Sequence, residues 1–498
     1  MLNILHEPFL KPTDKKIAKI ITLATACFAS FLDVLNLSAV NIAVPTIARD
    51  IDLTPSTLPW LMAAYSIAFA AFLLPAGKLG DIYGYRMVYL LGLSLFALTS
   101  LLNAVSPNQY ALFVFRAIQG LAAACVIPTG IALIANICED EDERRLGFSL
   151  FGSSGPIGLV IGIILGGVLS SSIGWRWIFY VSAICSLAML ILAGLFVSDS
   201  KNEKTEEKVD MVGFSLVTSG FILIIFALSD GQWHLARDPV TLIIGVLLII
   251  AFLVWQTKTS QPLLHPSWWR RTNFAIAFIL NFVNYGSFSG YIYVATLLFQ
   301  DVFGYTALQT GLYYLPMGIA AFLACNAVGY LTPYMGSRLL VIIGTTIGAA
   351  ANVGTLFYST ELGFWKLIFP MHLLMGIGQP LTYVAGQNAM LLSAPVHETG
   401  TVGAVYNTAS QLGSAMGLAI VTAIINAVNA ADSHATNAFG GYHAALYALV
   451  ALEVFCMISG GLFIRDERKN ASSNQKIELE NGTGASTNSS TVTVQDHK

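Results

Sequence analysis

Residues 77–86 read Gly77-Lys-Leu-Gly-Asp-Ile-Tyr-Gly-Tyr-Arg86, and residues 329–338 read Gly329-Tyr-Leu-Thr-Pro-Tyr-Met-Gly-Ser-Arg338. Gly, Leu, Gly and Arg fall at the same four offsets in both stretches. Each sits between two apolar runs, and a helix needs roughly 20 apolar residues to cross a hydrocarbon core. The two turns therefore mark equivalent places in two related halves of one chain. Duplicated bundles of this kind rock about a site near the bilayer midplane.

The composition agrees with a lipid solvent. Of 498 residues, 55% are hydrophobic and 11% are charged, with a mean hydropathy of +0.69. A soluble chain carries about 25% charged residues. A net charge of −3 supplies no basic field for nucleic acid. The six cysteines, Cys27, Cys125, Cys138, Cys185, Cys325 and Cys456, stand singly in apolar stretches, without the spacing of a metal site or a disulfide framework. The dispersed histidines and the lack of a Ser/His/Asp cluster argue against an enzyme. No cofactor and no metal are expected.

Outward from residues 77–86, spans are expected near 20–45, 57–77, 87–106, 109–135, 146–170 and 176–197, then 211–229 and 239–257. Six more follow near 273–300, 309–332, 338–358, 363–391, 400–429 and 442–464. The fold class is thus an all-α polytopic membrane protein of fourteen spans: two six-helix bundles (20–197 and 273–464) and two additional central helices (211–257). A cytoplasmic N-terminus (1–19), a polar linker (198–210), a loop (258–272) and a disordered tail (465–498) complete the plan. With both ends on one side, twenty Lys and Arg fall there and four, Arg49, Arg176, Arg237 and Lys366, on the other. That asymmetry makes the richer side cytoplasmic.

Polar side chains inside such spans are costly and mark candidate function. Asp33, followed by Asn36 and Asn41, is the acidic residue deepest in the first half, and a buried carboxylate is a candidate proton carrier. Arg116, with Gln119 beside it, needs a partner or a wet cavity. In the second half the candidates are Asn281, Asn284, Tyr285, Gln387, Tyr406 and Asn407, amides and phenols that must face the bundle interior. Tyr291, Tyr293, Asn326, Gln379, Tyr383, Asn388 and Gln411 share their character, while His372 and Glu453 read as packing residues. Gly158, Gly162 and Gly166 have the small-xxx-small spacing of closely packed helices.

These features together resemble the major facilitator superfamily. Gly77, Leu79, Asp81, Gly84 and Arg86 are similar to its loop signature G-x-L-x-D-R-x-G-R-R, with Ile82 and Tyr85 departing from it. The resemblance implies that Gly77, Asp81, Gly84 and Arg86 gate the switch between states. Arg116-Ala-Ile-Gln-Gly120 resembles R-x-x-Q-G. Gly155, Pro156, Gly158, Gly162, Gly166 and Gly167 resemble the antiporter motif, although the family's proline position holds Ile163. Asp33 to Pro45 is similar to L-D-x-T-x-V-N-x-A-L-P, the signature of the drug:proton branch, with Leu35 at the Thr position. The chain most resembles fungal fourteen-span members, in the yeast group of aminotriazole-resistance and boron exporters and a low-affinity ammonium transporter.

The expected function is secondary active transport: proton-coupled export of a small solute or drug by alternating access. Asp33 would exchange the proton, Arg116 would bias it, and Asp81 with Arg86 would latch the cytoplasmic side. The alternatives are uptake or facilitated diffusion of a nutrient or an ammonium-like cation, or a membrane solute sensor. The partners implied are a small-molecule substrate, protons and the lipid bilayer, with the protein a monomer in the plasma membrane or the vacuolar membrane.

Overall fold

The computed structural model describes residues 15–53, 57, 60–138, 140–198, 210–230, 237–358, 363–394, 398–431 and 440–465. The first fourteen residues, most of the expected 198–210 linker and the tail beyond 465 lie outside them. Every regular element among the described residues is helical. In lipid this is forced, because each backbone N–H and C=O must be satisfied within its own segment.

The first half holds α1 (Lys15–Asp50), α2 (Trp60–Tyr83), α3 (Tyr85–Ala104), α4 (Gln109–Ile137), α5 (Glu141–Ser172) and α6 (Arg176–Phe196). Then come α7 (Met211–Asp230) and α8 (Arg237–Gln256). The second half holds α9 (Thr272–Leu297), the short α10 (Ala307–Tyr313), α11 (Leu315–Thr355), α12 (Phe369–Leu392), α13 (Thr399–Ala431) and α14 (Gly440–Phe463). Asn108 caps α4 by accepting from the Ala111 N–H. Asp50 at the end of α1 accepts from Trp175 and Arg176 at the start of α6.

Among the described residues, twelve helical stretches are long and apolar enough to cross a membrane, where the sequence leads to an expectation of fourteen. Two features account for the difference. The expected spans 309–332 and 338–358 are two helices that abut at a sharp kink at Gly336, whose φ of 76° is left-handed, and together they count as one of the twelve. Helix α9 is 26 residues long, but Asn281, Asn284, Tyr285 and Ser287 interrupt its apolar run, and it is not among the twelve.

The turn at 77–86 is also tighter than a loop. Helix α2 runs to Tyr83 and α3 starts at Tyr85, with Gly84 alone between them at φ 97°. Gly84 and Gly336 hold the same offset in the two repeats. A left-handed φ is cheap only for glycine, so the repeated glycines are the repeated backbone hinge.

Glycines 158, 162 and 166 press α5 onto α1. A Cβ at Gly162 would lie 2.6 Å from the Leu35 carbonyl oxygen, and one at Gly166 would lie 2.6 Å from Ala39. The halves meet along α2 with α13 and along α5 with α11. Helix α7 lies against both α2 and α13, with Phe214 on Phe72 and Phe226 on Trp60. Asp210 joins α7 to α8 by accepting from Gly213 N–H, Trp255 Nε1 and Gln256 Nε2 at 2.9–3.0 Å.

Candidate transport site

Arg116 is the centre of a buried polar network in the first half and is fully covered. Its Nη1 donates to Asn36 Oδ1 at 2.7 Å and to Gln119 Oε1 at 2.9 Å, and its Nε donates to the Leu61 carbonyl at 3.4 Å. Asn36 donates onward to Ser182 at 3.0 Å and Gln119 to Ser100 at 2.8 Å. The guanidinium lies 4.5 Å from the centre of the Tyr65 ring, and the Tyr65 hydroxyl donates to Asp33 Oδ1. One tyrosine therefore connects the buried cation to the buried acid. A desolvated cation–π contact is worth about 2 kcal/mol, and a hydrogen bond to a charged group about 1.5–3 kcal/mol. The snorkelling that a position near a span end allows does not occur.

Asp33 faces a cavity of about 300 Å³ between the halves. Helices α1, α2, α4 and α5 line one side and α9, α11, α12 and α13 the other. The walls include Phe69, Phe151, Tyr285, Phe288, Met317 and Tyr383. The polar groups are Ser30, Gln379, Asn407, Ser410 and Gln411. Among the described residues, Asp33 is the only charged side chain in the lining. A mostly apolar chamber with a few placed polar groups is the usual form of a small-molecule site.

A larger vestibule of about 950 Å³ shares Val34, Leu37, Leu159 and Met317 with that cavity and extends to Pro45 and Thr306. Asn41 is exposed and lines this vestibule, so it stands apart from the Asp33 network.

The face that holds the described chain ends is closed. Asp81 Oδ2 accepts from the Thr401 hydroxyl and, at 3.3 Å, from its backbone N–H, while Oδ1 accepts from Tyr85 at 2.8 Å. Thr401 lies in the first turn of α13, where a carboxylate is favoured by the unpaired N–H groups. A Cβ at Gly77 would meet Ala404 Cβ and the Gly400 oxygen at 2.7 Å. Arg86 is buried and donates to the Gly194 carbonyl on α6 at 2.8 Å. The expected latch of Asp81 with Arg86 is thus divided: Asp81 reaches across to the other half, and Arg86 ties α3 to α6 within its own.

In the second half, Tyr285 and Asn407 line the cavity. Asn281 donates to the Tyr406 carbonyl at 2.6 Å and to Ser410 at 2.7 Å, behind the wall. Tyr406 is buried, and its hydroxyl donates to the Tyr383 carbonyl at 2.6 Å. Asn284 and Gln387 are buried away from the cavity lining, each with an amide oxygen that has no partner. Gly155 and Pro156 line the cavity, while Gly158, Gly162 and Gly166 serve the α1 contact and Gly167 is half-buried.

Tyr65, Phe69 and Phe288 are not predicted from the sequence. Each is an aromatic in an apolar run, with no feature that separates a cavity wall from core.

The sequence profile described as Major Facilitator Superfamily matches residues 26–418. The chain belongs to the major facilitator superfamily. It is a multi-pass membrane transporter and not an enzyme. It is 30% identical to the major facilitator superfamily multidrug transporter mfsC of Aspergillus fumigatus, over 81% of this chain and 79% of that protein. It is 29% identical to the puromycin resistance protein pur8 of Streptomyces alboniger, over 81% of each. A solved structure, that of the human organic anion transporter MFSD10 (TETRAN), superposes with a TM-score of 0.66 over 89% of this chain and 99% of that one, at 16% identity. This last likeness bears on the fold alone. Among the described residues, no group of His, Cys, Asp and Glu is placed to hold a metal ion.

Proposed function

We propose that the chain exports a small amphipathic solute or drug in exchange for protons, as a monomeric member of the fourteen-span fungal drug:proton branch in the plasma membrane. The observation that carries this reading is the place of Asp33, the one charged side chain among the described residues of a cavity shared by both halves, with Tyr65 between it and Arg116. A carboxylate there can hold either a proton or a polar substrate, and the competition couples their movements. The relatives named for multidrug transport and puromycin resistance support export of a drug-like compound.

The closed face, rich in Lys and Arg, is assigned to the cytoplasm, and the vestibule opens outward. In this state a proton from outside reaches Asp33 and discharges the substrate. Each charge carried across 100 mV supplies about 2.3 kcal/mol.

The test is whole-cell accumulation in a strain expressing the chain or its Asp33→Asn variant. The panel is puromycin, toxic azoles, borate and methylammonium, with and without a protonophore. Exclusion of one compound, sensitive to protonophore and lost in the variant at equal surface expression, is the expected result. Raised accumulation that ignores Asp33 would instead establish facilitated uptake and refute proton-coupled export.

A further inference from the structure

Helices α9, α11, α12, α13 and α14 together contain one acidic residue, Glu453. Its side chain is buried at 2% exposure, and it has no ion pair among the described residues. The helices packed on α14 are α9, α11 and α13. Neither α9 nor α13 carries a charged residue or a histidine, and α11 carries only Arg338, far along the helix from Gly348, which Glu453 touches. On α14 itself the titratable neighbours are Cys456 in the next turn and Tyr442, His443 and Tyr447 toward the other end. A carboxylate buried in a bundle with no counter-charge is unstable unless a proton can reach it.

A route for that proton runs toward the vestibule. The Glu453 carboxyl packs 3.2–3.4 Å from where a Cβ on Gly348 would stand. Ser287 lies beside it, out of hydrogen-bond geometry, so that its buried Oγ has no partner. Asn352, one turn along α11 from Gly348, donates to the Gly348 carbonyl at 3.2 Å and leaves its buried Oδ1 unpaired. Tyr291, one turn along α9 from Ser287, has its hydroxyl 2.9 Å from His372 Nδ1. His372 is fully buried with Nε2 unpaired, and its ring stacks on Tyr314 at 5.1 Å. The Tyr314 hydroxyl is 2.8 Å from Thr296 Oγ1, and both residues line the vestibule. From Ser287 to Thr296 is about 14 Å along α9, at 1.5 Å per residue. Unpaired buried polar atoms call for bound water or a functional account, and here three of them, Ser287 Oγ, Asn352 Oδ1 and His372 Nε2, lie between one carboxyl without a counter-charge and the vestibule.

We propose that Glu453 is a second proton site, in the C-terminal half, loaded from the vestibule through His372 and Tyr291 with water bridging at Asn352 and Ser287. This inference rests on the proton-coupled reading above. A proton from vestibule water passes to His372 Nε2 while Nδ1 releases one to the Tyr291 hydroxyl. The proton released onward ends on a Glu453 oxygen, which goes from carboxylate to neutral acid. With Asp33 in the first half, each half then holds one proton-carrying acid.

The test is infrared difference spectroscopy on the full chain reconstituted in lipid and stepped between acidic and alkaline buffer. The wild-type protein is expected to show a carboxylic-acid C=O stretch that rises on acidification and bleaches on return. Glu453→Gln, which preserves shape and polarity, loses the Glu453 component of that band and keeps the Asp33 component, and Glu453→Asp shifts the Glu453 component. His372→Phe, which preserves the ring stack, keeps the band but slows its rise on the order of a hundredfold. Identical difference spectra for wild type and Glu453→Gln would overturn the site, and an unchanged rise in His372→Phe would overturn the route. No transported compound is needed, so this result is independent of the Asp33→Asn export assay.

Discussion

Arg116 shows how a cation is kept inside a bilayer: three protein oxygens accept from it and one aromatic face lies against it. The arrangement needs a planar fork, because a single side chain must reach Asn36, Gln119 and the Leu61 carbonyl at once. Lysine carries the charge on one point and cannot reproduce that geometry. Arg116→Lys is therefore expected to reach the membrane with a lowered melting temperature in detergent and to lose most transport. Tyr65→Phe is a finer probe, since it keeps the ring against the guanidinium and removes only the bond to Asp33. Loss of one hydrogen bond to a charged group, about 1.5–3 kcal/mol, predicts export reduced by about ten- to a hundredfold with thermal stability little changed. Equal export in Tyr65→Phe would show that the phenol does not govern Asp33. Asp33, Asn36, Arg116 and Gln119 are legible in the sequence because polar groups in lipid must find one another. Tyr65 is not, because its hydroxyl is invisible in a pattern that counts it as one more apolar residue.

At the scale of elements, the contact of α5 with α1 is a glycine stripe whose members are not interchangeable. A methyl at Gly162 would overlap the Leu35 backbone, whereas one at Gly155 would sit 3.6 Å from Val34 Cγ2, an ordinary contact. Overpacking costs about 1–3 kcal/mol. Gly162→Ala should lower the melting temperature and the yield of folded protein, and Gly155→Ala should leave both near wild type. A thermal-shift measurement in detergent distinguishes them. The hinge glycines are a second case. At Gly84 and Gly336 an alanine would have to hold a left-handed φ, at about 1–2 kcal/mol each. The stripe and the repeated hinge can be read from sequence because spacing and backbone freedom belong to residue identity. The extent of α1, α2 and α5 cannot, because their polar ends continue as helix beyond the apolar run. The division of labour between Asp81 and Arg86 is equally hidden, since it depends on which helices lie across from each.

For the whole molecule, the question is which face the cavity opens to and what holds that choice. The vestibule and the cavity share four residues, while the opposite face is shut by Gly77 against Gly400 and by Asp81 at the start of α13. Asp81 is half-buried and crosses between halves, so its bonds exist only in this state. An interaction made in one state alone shifts the equilibrium by its full worth. Asp81→Asn removes the negative charge at the α13 N-terminus, about 0.3–1 kcal/mol and up to ~2 kcal/mol where partly buried. At about 1.4 kcal/mol per factor of ten, the population open at the vestibule face should fall several-fold. Asn41 is exposed in that vestibule, so a cysteine placed there reports on it. Labelling of Asn41→Cys by a membrane-impermeant maleimide should slow several-fold when Asp81→Asn is added, and Thr401→Val should slow it in the same direction. Unchanged labelling in both double variants would mean that the seal is carried by the Gly77–Gly400 packing, and Gly77→Ala would then be the substitution that opens it.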